Sequence, residues 1–179
     1  MRAALGLIER PSRERSARGA SPRQLVVFAA ALGLLGPSTS GFAAAAPKPA
    51  LEPATRTVSV LLGRINAARR AYHERLVRLD LRLCRIAVAH AVDMVEHNYF
   101  DHVSLDGLSP FDRMHAIHYR FGYAGENLAL DLDARSVAQA LWNSPEHRRN
   151  LLEPHYAHVG IAAVPAGGGE IIVVEDFSD

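Results

Sequence analysis

Ser144-Pro145-Glu146-His147-Arg148-Arg149-Asn150 is the stretch on which the reading of this chain turns. Ser is a favoured N-cap and Pro a favoured first helical residue, so Ser144-Pro145 opens a short helix with His147 in its first turn. Upstream, Tyr99-Phe100-Asp101-His102 and Gly125-Glu126-Asn127 supply a second imidazole and a carboxylate. Two imidazoles and a carboxylate are a usual ligand set for a divalent metal. The three groups are far apart in sequence, so only the fold can bring them together.

Working outward, the spacing predicts helices before strands. From Thr57 to His73, Leu61, Leu62, Ile65, Ala68 and Tyr72 share one face. Asp80 caps a second helix running to about Glu96, with Leu83, Ile86, Ala87, His90, Ala91 and Met94 as its stripe. That helix has only a narrow polar edge, so it belongs at the centre of the fold. His90 reads as a hydrogen-bonded core histidine. Ser109-Pro110 opens a third helix with Asp112 as its capping partner, and Asp133 caps a fourth. The tail changes period: Val159, Ile161 and Ala163 alternate, Pro165 to Gly169 make a turn, and Ile171 to Phe177 is β-branched. Helices followed by a hairpin predict an α+β layered domain.

At 179 residues, one domain is the expectation. The net charge of +1 conceals an asymmetry: residues 1–46 carry six Arg against two Glu, and residues 47–179 are mildly acidic. A body without a basic cluster excludes nucleic acid as partner. Residues 1–46 read as a signal peptide or N-terminal anchor. Arg10 to Arg23 form a basic start, Leu25 to Leu35 an apolar core, and Gly41 to Ala46 a small-residue cleavage region. The apolar run is short of the roughly 20 residues that span a membrane, so a membrane enters only through an uncleaved leader. Residues 47–56, rich in proline, read as a linker, and residues 57–179 as the domain. Cys84 is the single cysteine and lies in the apolar second helix, which predicts a buried inert thiol.

The ordered motifs carry more than any one of them. Ile65-Asn66-x-x-Arg69 comes first, then Ala87-x-x-His90-Ala91-x-x-Met94. Phe100-x-His102-x-Ser104-x-Asp106-Gly107-x-Ser109-Pro110-Phe111-x-Arg113 follows, with Gly125-Glu126-Asn127 after it. Trp142-x-x-Ser144-Pro145-x-His147-Arg148-x-Asn150 and Val159-Gly160 complete the series. In this order they resemble the bacterial CAP (SCP-like) domain, related to cysteine-rich secretory proteins, antigen-five and pathogenesis-related proteins. The resemblance covers roughly residues 58–178. It implies an α-β-α sandwich with a central antiparallel sheet. It also implies an open cleft with His102, Glu126 and His147 at its base, associated with zinc or another divalent cation. Many eukaryotic members add a second cleft glutamate, which has no clear counterpart here. Glu146 is no substitute, because helix neighbours project about 100° apart.

The functional expectation is a secreted or extracytoplasmic, non-catalytic binding module. Its cleft takes a divalent cation and an envelope or extracellular ligand such as a lipid, sterol or glycan. Tyr99, Ser104 and Asn127 are the candidate ligand-binding residues beside the metal set His102, His147 and Glu126. The rival is a metal-assisted hydrolase acting on peptides or cell-envelope polymer, with Glu126 as general base. No Gly-x-Ser-x-Gly elbow surrounds Ser104 and no His-Glu-x-x-His helix occurs, so no catalytic residue is assigned. The oligomeric state has no signal in the sequence.

Overall fold

The computed structural model describes residues 6–9 and 51–179. The leader reading over residues 1–46 therefore lies outside the described residues, except for Gly6–Glu9. Those four form strand β1. Helix α1 spans Leu51–Ala71 and strand β2 spans Arg78–Leu79. Helices α2 (Leu81–Glu96) and α3 (Pro110–Ala116) precede strand β3 (Ala124–Asp131). Helices α4 (Ala134–Asn143) and α5 (Pro145–Leu152) lead into the hairpin β4 (His158–Gly167) and β5 (Glu170–Ser178). Helix α1 begins inside the stretch read as a linker. Pro53 falls in its first turn, where a missing N–H breaks no intrahelical bond.

The strands form one sheet in the order β1-β3-β5-β4-β2. β3, β5 and β4 pair antiparallel, and β2 pairs parallel with β4. The β4–β5 turn passes through Gly168 and Gly169, both at positive φ, as a tight hairpin requires.

Side chains alternate across the sheet, and this alternation builds two layers. On one face, Ala129, Val159, Ile161, Val173 and Phe177 pack with Leu61 and Ile65 of α1, Val137 and Leu141 of α4 and Leu151 of α5. On the other, Leu128, Ala162, Ile172 and Val174 meet Ala87, Ala91 and Met94 of α2. Leu83 and Ile86 of α2 extend that layer to Met114, Tyr119 and Ala124. The fold is the expected α-β-α sandwich. Gly160 lets α2 lie directly on β4: a Cβ there would sit 2.2 Å from the Leu83 carbonyl carbon.

The caps explain the boundaries. Asp80 accepts from Arg82 N and Leu83 N, and Ser109/Asp112 and Asp133/Ser136 form reciprocal capping boxes. Three helices end alike, with no glycine. His73, Asn98 and His118 take positive φ, and the next residue's N–H returns to the carbonyl five residues back. Ser144 departs from expectation. It occupies the N-cap of α5, yet its side chain makes no cap hydrogen bond.

Candidate functional site

Glu126 is the hub. It lies at the start of β3 with no exposed surface. Its Oε1 is 2.6 Å from His102 Nδ1, and its Oε2 accepts from Arg113 Nη2 at 2.6 Å. His102 comes from the loop between α2 and α3, and Arg113 from α3. Arg113 also donates through Nη1 to the His102 carbonyl at 2.9 Å, which fixes the histidine loop against the helix. One guanidinium thus holds both the carboxylate and the backbone that presents the imidazole.

The fourth member is Asp176 of β5, which the sequence reading missed. It faces Glu126 across the ladder, on the same rung as Gly160. It is fully buried, and no donor among the described residues reaches either of its carboxylate oxygens. Two carboxylates can share a hydrogen bond only when one carries a proton. Burial, and then the neighbouring Glu126, hold the Asp176 carboxyl well above the usual carboxylate range. Burial also raises Glu126, against the pull of Arg113. Arg113 and His102 grip Glu126, so the charge rests there and the proton rests on Asp176.

The neighbouring rung points the other way. Asn127 donates through Nδ2 to Glu175 Oε2 at 3.1 Å, on the face covered by α1, α4 and α5. Asn150 of α5 donates to Asn127 Oδ1 at 2.9 Å and to the Glu126 carbonyl at 3.0 Å. This docks α5 on β3. His147, one turn earlier on α5, is buried, and its Nδ1 lies 2.7 Å from Ser144 Oγ. The hydroxyl expected to cap the helix binds the histidine instead, which accounts for the missing cap bond.

The structure therefore joins His102 directly to Glu126 and brings His147 to the same strand through α5. Both imidazoles are buried, at 4% and 2% exposure, rather than open as the sequence suggested. The three candidate ligand-binding residues have other partners. Tyr99 donates to Asp93 on α2, and Ser104 binds Asp106 and the Leu108 carbonyl within its own loop. Asn127 is wholly buried on the opposite face from His102. His90 accepts its core role, with Nε2 at 2.9 Å from the Asp101 carbonyl oxygen, and burial lowers it to about 4.

The cation expectation can be tested on the donor set. Glu126 has both oxygens occupied, and it sits against the ring nitrogen of His102. That is the place of an outer carboxylate orienting a metal-bound histidine, not of a third ligand. Among the described residues, no three His, Cys, Asp or Glu side chains form a group that could hold an ion.

A second feature was invisible in the sequence. A cleft of about 430 Å³ lies between α1 and α4, lined by Ile65, Ala68, Tyr72, Leu141 and Trp142, with Glu175 among its walls.

Comparison with known proteins places this geometry. The model of the CAP, cysteine-rich secretory protein, family matches residues 62–177. The chain belongs to that family. Among curated relatives, the uncharacterized protein YkwD of Bacillus subtilis is 37% identical over 103 residues, covering 57% of this chain and 40% of that protein. The uncharacterized membrane protein YlbC of the same organism is 39% identical over 83 residues, covering 46% of this chain and 24% of its own length. The chain thus spans less than half the length of these relatives. Among solved structures, an extracellular SCP-domain protein of Bacillus anthracis matches with a TM-score of 0.65 at 25% identity, over 70% of this chain and 41% of that one. An outer surface protein of Borrelia burgdorferi gives 0.65 at 23% identity, over 69% and 92%, which supports the fold.

Two residues of the motif series, Asn66 and Arg69, are scaffold. Asn66 pairs with both backbone groups of Val77, like a missing strand. Arg69 is fully buried and donates to the carbonyls of Leu151, Glu153 and Tyr156, closing the end of α5.

Proposed function

We propose that this chain is an exported CAP-domain binding module whose cleft between α1 and α4 receives a lipid-like ligand. The apolar lining of that cleft carries the reading. Its walls favour a lipid or sterol over a glycan, which would need many polar partners. Arg64 and Arg135 stand at the cleft and suit an acidic head group. Export rests on the leader-like composition of residues 1–46 and on the extracellular relative. Among the described residues no helix is long and apolar enough to cross a membrane.

Hydrolysis fits less well. A general base needs an oxygen aimed at a water, and both Glu126 oxygens are held by neighbours. A divalent cation such as zinc is a separate part of the reading. His102 and His147 would hold it, with Glu126 orienting His102. Zinc should raise the melting temperature of the wild type and not of His102→Ala. An equal shift in both removes the cation.

Ala138→Trp tests the cleft by filling it. Fluorescent fatty-acid and sterol probes should bind the wild type and lose at least tenfold in affinity on the variant, with its melting temperature retained. Unchanged binding, or no binding to either protein, would overturn the assignment.

A further inference from the structure

Strand β1 reveals what the outer edge of β3 can accept. Gly6–Glu9 pairs antiparallel with β3, in the register Gly6 with Asn127, Leu7 with Glu126, Ile8 with Gly125 and Glu9 with Ala124. The other edge of β3 is fully taken by β5. Helix α5, carrying His147 and Asn150, packs beside β1. The four paired residues of β3 are therefore those around Glu126, at the centre of the charged cluster.

β1 lies inside the stretch read as a removable leader. Once that stretch is gone, β3 becomes an edge strand between Ala124 and Asn127: the backbone groups that met β1 lose that partner, while the Glu126 carbonyl keeps its bond from Asn150. Such an edge is a template for another strand. It runs for eight residues, whereas β1 covers four, so a longer segment has backbone to pair with.

We infer that the β3 edge beside Glu126 is a peptide-binding site that captures an extended segment of another polypeptide as an added antiparallel strand. β1 shows the geometry in cis. Main-chain hydrogen bonds supply the affinity, and the four-residue register next to Glu126 sets position. The captured segment must offer free backbone N–H groups, since Pro and backbone-blocked residues cannot join the ladder. While β1 remains attached, it competes at the high effective concentration of a tethered segment. The inference rests on the exported reading only for when the edge is uncovered.

The test uses the full chain in two forms. One carries Leu7→Pro/Ile8→Pro. The other keeps the native sequence but has a protease site inserted between Ala20 and Ser21, cut after purification. The probe is a fluorescein-labelled synthetic peptide of residues 4–11, followed by anisotropy. Both forms should bind it saturably and at least tenfold more tightly than the uncut wild type. A peptide N-methylated at Leu7 and Ile8 should lose at least tenfold. Hydrogen exchange at Gly125 to Asn127 should speed up in the opened forms and slow again with peptide. Equal binding of the methylated peptide, or no binding to either opened form, overturns the site. Amino-terminal sequencing of exported protein separates the two readings. A retained leader with peptide binding intact removes the export reading and leaves the edge site standing.

Discussion

On the α2 side of the sheet, Glu126 and Asp176 face each other beside Arg113 and His102. One rung along, on the α1 side, Asn127 and Glu175 face each other beside Asn150. Both rungs bury acids completely, within the same two strands. The first faces its acids with a guanidinium and an imidazole, whose pull works against the burial that raises Glu126 to about 7. The second supplies no cation, and burial pushes Glu175 up to about 7. Burial thus raises acids on both faces, and the difference lies in whether the covering layer brings a cation to them. The α2 layer delivers Arg113 through α3. The α1 layer delivers only amides through α5.

The sharpest way to break this contrast is Arg113→Met. It leaves the Glu126–Asp176 pair buried without its cation. Breaking one side of a buried ion pair costs on the order of 3–5 kcal/mol, which unfolding in urea would show. Adding Glu126→Gln should recover part of the loss, because no charge then needs a partner. If the double variant is no better than the single, Glu126 does not carry the charge.

Glu175→Gln should act with the opposite sign. In the folded state Glu175 titrates near 7 against an ordinary 4.5, so the folded protein holds the proton more tightly. Its contribution is full below about 4.5 and is lost as pH rises towards about 7. Glutamine keeps an acceptor for Asn127 and removes that loss. The variant should match the wild type near pH 4.5 and exceed it by up to about 3 kcal/mol at pH 8. His90 slopes the other way: its depressed value means stability is lost as pH falls from 6.5 towards about 4. Subtracting the two melting curves isolates Glu175, and a difference that is flat with pH would refute the neutral-acid account.

Asn150→Ala cuts the link between the faces. Its amide bonds the Glu126 carbonyl and the Asn127 side chain together, both buried. Leaving them unpaired should cost about 1–3 kcal/mol in chemical denaturation. Asn150→Asp should restore little, since it lacks the donor both partners need.

Much of this was legible before any coordinates. The caps Asp80, Ser109 and Asp133 and the β4–β5 hairpin follow from local chemistry. His102 and Glu126 emerged only from the order of motifs, because 24 residues separate them and no local period links them. Strand β3 gave no alternation to read, since both faces are buried over Ala124 to Ala129. Glu175 and Asp176 fall within the β-branched run Ile171 to Phe177. Which face each joins depends on strand register, which a single sequence does not display. The endings at His73, Asn98 and His118 were hidden too, since no glycine marks any of them. Ser144 misled because its sequence position is that of a cap, while its hydroxyl has a nearer partner in His147.

Ser144→Ala probes that substitution of roles, and with it the smallest version of the contrast. His102 is oriented by a charged carboxylate on the α2 side, and His147 by a neutral hydroxyl on the α1 side. If the hydroxyl serves the histidine, alanine should cost about 1 kcal/mol. It should move the ring-nitrogen chemical shifts of His147 and leave amide exchange at Glu146 and His147 unchanged. If it serves the helix terminus, the amides at the start of α5 should exchange faster and the ring should not respond. Ser144→Asp then discriminates further. A carboxylate at this position would give His147 the kind of partner His102 already has, and should raise its titration midpoint. A midpoint that does not move would mean that His147 takes its orientation from elsewhere in the fold.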